Sequence, residues 1–259
     1  PEGFYYKEAG TIWHDAPSPF GIPYRCLYSK NIENLFCAGR NISTTHTAMS
    51  ASRVMQTCAL IGQAVGNAAA IASKEKIGPR GVYQSKLNQL QQNLMDDDSY
   101  LPGFKREIPE LSKSAELTCS DGSAENLLDG IERSIGEEDH GIYLKREGWL
   151  KYEFDRDEFV SEARIVFDSN LRRNRKEDNP WHVQMSDMRA SYPIDQDLIS
   201  VPAKMTKSFS IECKQNDEWK EFYKKENNYQ RLVKVRINQK CSAIRLILHD
   251  TWGAEKYHL

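Results

Sequence analysis

The sequence predicts a chain in two parts, an α/β segment followed by an all-β sandwich, and therefore a multidomain α+β protein. Residues 35 to 72, LFCAGRNISTTHTAMSASRVMQTCALIGQAVGNAAAIA, order a short apolar strand, a Gly-Arg turn, a polar loop and a long helix of small residues. A charged Gly-Pro break, Lys74 to Arg80, and a Pro-containing stretch from Leu101 through Pro109 set that segment apart from the rest of the chain. From about Leu117 onward, apolar residues alternate with polar ones in short runs separated by turn residues, the pattern of antiparallel strands. The boundary falls near residue 110, dividing the chain into regions 1–110 and 111–259.

Within the first region, the strand Leu35 to Ala38 ends at Gly39, where the missing side chain permits a sharp turn and close backbone approach to a ligand. Ser50 and Ser52 offer cap-type hydroxyls at the expected helix start. The free N–H groups and macrodipole of a helix N-terminus favour an anion, or a carbonyl carrying negative charge. Gly62, Gly66 and Ala70 recur every four residues and share one helix face, with the amides of Gln63 and Asn67 beside them. Each glycine costs about 1 kcal/mol against alanine in a helix interior. Close packing in an ordinary crossover helix would offset that cost, and so would close approach to a cofactor. Tyr83 to Met95 reads as an amphipathic helix with Leu87, Leu90 and Leu94 on one stripe, packing back on this region. The acidic triplet Asp96 to Asp98 lacks the spaced oxygen ligands and glycine of a calcium loop, which favours a solvated helix end.

The second region carries alternating runs at Trp149 to Phe154, Ala163 to Phe167, Phe209 to Cys213, Leu232 to Ile237 and Ile244 to Leu248. In the last, Ile244, Leu246 and Leu248 form the inward face and Arg245 points the other way. Trp149 and Trp219 read as core or strand-edge residues. Asp129, in the turn NLLDG, either shapes that turn or helps to hold a calcium ion, the turn role being favoured.

Charge nearly balances, with Lys and Arg totalling 35 and Asp and Glu 37, so no field attracts nucleic acid. The basic run Arg172, Arg173, Arg175, Lys176 reads as a solvated loop. No apolar run reaches a membrane span, because Gln63 and Asn67 interrupt the Ala-rich stretch. The cysteines at 26, 37, 58, 119, 213 and 241 contain no CxxC pair, and no HExxH is present, so no metal site is expected. They read as buried thiols, with a Cys213–Cys241 disulfide as the alternative. Localisation is left open.

The ordered blocks from Gly21 to Ala72, GIPYRCLYSKNIENLF running into AGRNIS, then His46, RVMQTC and GQAVGNAAA, resemble the C-terminal flavin-binding portion of a large family of FAD-dependent oxidoreductases. The resemblance implies FAD as cofactor, with Gly39 and Arg40 at a strand end facing it. It also implies that the residues from His46 to Gln63 pass beside the isoalloxazine, so that Gly39, Arg40, Ser43, Thr57, Gly62 and Gln63 are the expected cofactor contacts. His46 and Arg53 are the candidates for orienting substrate or managing a proton during hydride transfer from an unknown substrate. The segment is also similar, more loosely, to the helix entry of the fumarate reductase and aspartate oxidase class, although the His46-to-Arg53 spacing differs there. That family's pyrophosphate-binding GxGxxG turn is formed by none of the fifteen glycines. The chain is therefore expected to be the C-terminal part of something longer, with the dinucleotide-binding half as its missing partner, and to bind FAD poorly alone.

The order NLLDG, WLKYEF, VSEARIVFD, Trp219, RLVKVRI and AIRLILHDTWG resembles the discoidin-like, galactose-binding jelly-roll family. That resemblance implies loop-borne aromatic and polar groups for glycans, here Trp181, His182, Tyr192 and Trp252. It supports a second functional class, a carbohydrate-binding sandwich with a non-catalytic N-terminal scaffold. The expected ligand is accordingly a small molecule or a glycan.

Overall fold

The computed structural model describes residues 19–135, 138–169 and 201–259. The chain divides into two compact units, Pro1–Lys105 and Arg106–Leu259. The candidate glycan contacts Trp181, His182 and Tyr192, and the basic run at 172–176, lie outside the described residues.

The first unit is helical. Tyr24–Leu27 forms a 3-10 turn, after which Tyr28 and Phe36 make one antiparallel bridge. The expected strand at Leu35 to Ala38 is reduced to that bridge: Cys37 N–H donates to Leu27 O at 2.8 Å, and Ser29 N–H to Leu35 O at 3.0 Å. The expected single helix from Ser50 onward is two helices, α1 (His46–Ser52) and α2 (Met55–Glu75), meeting at 91°. Lys76, in the left-handed conformation, ends α2, and Gly78 and Pro79 then open α3 (Pro79–Ser85), with the proline in the first turn where its missing N–H costs nothing. The predicted amphipathic helix is interrupted at Lys86, so its leucine stripe belongs to α4 (Leu87–Asp96). Leu90 and Leu94 are buried with Ile61, Ala68, Ile71 and Ala72 of α2, Val82 of α3, and Tyr24 and Leu27. Burial of each such leucine contributes about 1.5–3 kcal/mol.

In the second unit, α5 (Glu110–Ser114) precedes β1 (Glu116–Cys119). Next come the strands β2 (Tyr143–Leu144), β3 (Trp149–Val166), β4 (Thr206–Gln215), β5 (Glu218–Lys225), β6 (Leu232–Thr251) and β7 (Tyr257–His258). Among the described residues they form one antiparallel sheet, β1-β3-β6-β4-β5, and a two-stranded ribbon, β2-β7. The sequence runs 149–154 and 163–167 are arms of the single strand β3, and 232–237 and 244–248 are arms of β6. Both strands bend where the ladder shifts from Glu153↔Ala243 to Glu158↔Cys241. Charged, exposed Asp155, Arg156 and Asp157 mark the bend on β3, and Asn238, at φ 48°, falls in a second shift, between Val160↔Gln239 and Glu162↔Arg236. The bend lets both arms line one core, in which Phe167 meets Phe209 with ring centroids 5.0 Å apart, alongside Ile165, Val233, Val235, Ile211 and Leu248. This is the sandwich that the alternating pattern predicts.

Polar clusters pin its surface. Glu132 accepts from Arg106 Nε at 2.7 Å and from both terminal nitrogens of Arg164, while its carbonyl accepts from Arg231. Arg245 donates to Glu212 at 2.9 Å and covers the Trp219 ring at 4.2 Å, which accounts for a tryptophan on the edge strand β5. Cys213 and Cys241 are free, buried thiols in side-chain contact.

Candidate functional site at the helix entry

Gly39 has φ +81° and begins the 3-10 turn Gly39–Asn41, with open space where a side chain would start. The glycine is thus required by backbone conformation. The turn sends Ile42 inward, buried, and leaves Ser43 exposed, its N–H donating to Cys26 O at 2.9 Å. Arg40, also exposed, projects from the same turn.

The caps differ from expectation. Thr45 caps α1, its side chain accepting from Ala48 N–H at 3.3 Å. Ser50 and Ser52 lie inside α1, where the Ser50 hydroxyl donates to Thr47 O at 2.8 Å and Ser52 is buried. The N-cap of α2 is Val54, which makes no side-chain cap bond. Valine has no side-chain acceptor, so the first N–H groups of this 21-residue helix receive no N-cap side-chain bond.

Beside that uncapped end, Arg40, Arg53, Val54, Met55 and Gln56 line an open hollow of about 540 Å³. Two of the predicted residues, Arg40 and Arg53, therefore meet at one place, although they are 13 positions apart in the chain. Arg53 is the C-cap of α1, and its N–H donates to Met49 O. His46 stands at the other end of α1, exposed, roughly 10 Å of helix away, and is not among the lining residues. Thr57 sits half-buried in the first turn of α2. Gln63 is half-buried farther along α2, its carbonyl accepting from Asn67 Nδ2 at 3.2 Å. Sequence reasoning missed Gln56, whose only signal was a polar residue in the first turn of an apolar helix.

The glycine face of α2 is open. Gly62, Gly66 and Ala70 are exposed, and nothing lies within 4 Å of where a side chain would begin at either glycine. The crossover-packing reading of the glycines is not supported within the described residues. The hollow brings two guanidinium groups to the uncapped end of α2, an arrangement suited to a group that carries negative charge.

On the sandwich, Asp129 shapes its turn: Oδ1 accepts from Ile131 N–H at 2.7 Å and Oδ2 lies 2.5 Å from His140 Nδ1. Among the described residues no cluster suited to a metal ion occurs, and no single helix is long and apolar enough to cross a membrane.

Comparison with curated proteins finds no match. Similar solved structures include a family 32 carbohydrate-binding module of a GH31 protein bound to GalNAc, with 11% identity and TM-score 0.39, covering 56% of this chain and 93% of that one. The family 32 module of Streptococcus pneumoniae EndoD shows 13% identity and TM-score 0.38, covering 59% and 91%. The family 32 module of C. perfringens NanJ in complex with galactose shows 9% identity and TM-score 0.36, covering 57% and 90%. Residues 2–94, a segment that includes the hollow, the turn at Gly39 and the whole of α2, match the FAD dependent oxidoreductase family.

Proposed function

We propose that this chain contributes the isoalloxazine end of an FAD site in an oxidoreductase. The observation that carries this reading is the meeting of Arg40, Arg53 and the uncapped N-terminus of α2 at one hollow inside the segment that matches the flavoprotein family. When bound, FAD would accept a hydride from a substrate C–H. The α2 N–H groups and Arg40 hold the electron-rich edge of the ring, while Gly39 and Gly62 let the backbone come close. Ser43, Thr57 and Gln63 supply hydrogen bonds around the rim. Arg53 orients an anionic or carbonyl group of the substrate, and a substrate long enough to span the roughly 10 Å from the hollow along α1 brings its proton to His46. The pyrophosphate of the cofactor calls for a GxGxxG turn, which this sequence does not contain.

The test is kinetic and spectroscopic together. In the flavin-loaded protein, His46→Gln is expected to leave bound FAD nearly unchanged and to slow substrate-driven flavin bleaching by about 10² to 10⁴. Arg53→Met is expected to weaken flavin or substrate binding in a fluorescence titration, since a neutral side chain cannot replace a fixed charge. Reduction of the His46 variant at the wild-type rate would remove histidine from the chemistry, and wild-type binding by the Arg53 variant would remove the hollow from the site.

A further inference from the structure

The five-stranded sheet ends in two unlike edges. β1 is four residues long, whereas β5 runs for eight, Glu218–Lys225, and among the described residues no strand pairs with its outer side. A strand edge carries a row of unpaired N–H and C=O groups, and lysines and bulges ordinarily keep such edges from joining at random. β5 has both devices. Its charges are Glu218, Lys220, Glu221, Lys224 and Lys225, and its ladder to β4 skips Phe222, passing from Ile211↔Tyr223 to Glu212↔Glu221.

The skipped residue sets which side chains share a face. Glu218 stands opposite Gln215 of β4 and Lys225 opposite Phe209. Those β4 residues are an even number of positions apart and share a face, so Glu218 and Lys225 share one too, although they are an odd number apart themselves. Trp219, opposite Lys214, and Lys224, opposite Ser210, share the other face by the same count. One side of the Trp219 ring is covered by the Arg245 guanidinium at 4.2 Å. Among the described residues, neither Glu218 nor Lys225 has an ionic partner.

We propose that β5 pairs antiparallel with β5 of a second copy of this chain, about a two-fold axis between Glu221 and Phe222, so that two sheets become one. In this register Glu218 lies opposite the partner's Lys225, Trp219 opposite the partner's Lys224, Lys220 opposite the partner's Tyr223 and Glu221 opposite the partner's Phe222, and the symmetry repeats each pair. Opposite residues of an antiparallel pair point to one face, and the bulge is what brings Glu218 to Lys225 and Trp219 to Lys224 on matching faces. No like charges stand opposite one another. Glu218 gains an ion pair, and the open side of Trp219 receives an ammonium. A strand of unrelated sequence would have to supply this reversed order of charges; a second copy supplies it by symmetry. One strand pair buries little area, so the dimer is weak and concentration-dependent. This surface is separate from the flavin hollow and stands whether or not the flavin reading holds.

Sedimentation velocity of the full chain from about 5 to 500 µM tests the proposal, a range suited to small contacts. The average mass is expected to rise from one copy toward two. Lys225→Glu sets carboxylate opposite carboxylate and Glu218→Lys sets ammonium opposite ammonium, and each should weaken association about tenfold or more. Glu218 is exposed at the strand end, so its reversal leaves the fold intact and decides the outcome by itself. The double variant Glu218→Lys/Lys225→Glu exchanges the charges, restores both pairs and should associate within about threefold of the wild type. Asp155→Lys, an exposed reversal at the β3 bend, should associate as the wild type does. A single copy at every concentration, undiminished association by Glu218→Lys, a double variant as weak as the single ones, or equal loss in Asp155→Lys would each overturn it.

Discussion

The two units place their apolar and small residues in opposite ways. In the sandwich, Phe167, Phe209, Cys241 and Leu248 reach 0% exposure, and both arms of each bent strand close on one core. In the helical unit, one side of α2 is buried against α3 and α4, while its other side leaves Met55 at 87% and Leu60 at 57% exposure around the glycines. The sandwich satisfies its own hydrophobic pattern. The helix places residues of poor helix propensity on a surface that nothing in its described surroundings covers.

Truncating one residue in each unit tests this contrast most directly. Phe209→Ala removes a ring packed against Phe167 and Tyr223 and should cost about 3–5 kcal/mol. Met55→Ala, on the open face, should stay within about 0.5 kcal/mol. Urea unfolding in a Trp13→Phe background separates the two: every remaining tryptophan then belongs to the second unit, so fluorescence follows the sandwich, and helical circular dichroism follows α1 to α4. Similar costs at both sites would mean that the open face is packed in solution.

A smaller effect should appear with pH in the sandwich. His258 is buried and stacks on Tyr143 at 4.2 Å, with Nδ1 2.9 Å from Asp168 Oδ2 and Nε2 3.1 Å from Asp139 Oδ1. Burial disfavours its imidazolium, yet the two carboxylates outweigh that, and its pKa is raised above the ordinary histidine value. The folded state therefore binds the proton more tightly than the unfolded one. The resulting stabilisation is complete below the unfolded pKa, about 6.5, and disappears as pH rises through the raised folded value. Melting followed by tryptophan fluorescence should fall across that window in the wild type and stay flatter in His258→Gln. An unchanged slope in the variant would assign the pH dependence to other groups.

Legibility in the sequence divides in the same way. Period-two alternation identified the arms of β3 and β6 and the middle of β4, because burial on one face of a sheet repeats every second residue whatever the neighbouring strand is, but it missed the edge strand β5, which has no buried residue. It did not reveal that 149–154 and 163–167 are one strand, since the bend rests on Asp155 to Asp157, whose composition reads as a loop. In the helical unit, Gly39 was legible because a positive φ demands glycine. The break at Arg53 and Val54 was not, because neither residue is a helix breaker. That break also moved the cap from Ser50 and Ser52 to Thr45, and it brought Arg53 to Arg40 while carrying His46 away.

The smallest effect is also the most discriminating, because it reverses sign between stability and binding. Gly66→Ala places a methyl group where no atom lies within 4 Å, in a helix interior. The substitution should stabilise the helical unit by about 1 kcal/mol through backbone propensity alone, seen as a later loss of helical circular dichroism in urea. If the glycine face is where a flavin approaches, the same methyl group stands in its way, and FAD should bind more weakly to Gly66→Ala in a fluorescence titration. Gly62→Ala, nearer the hollow, should weaken binding more than Gly66→Ala does while stabilising the helix equally. A stability gain without any loss of flavin binding at either position would show that the face is open for a reason other than the cofactor, and the two arginines would then be left to define the site alone.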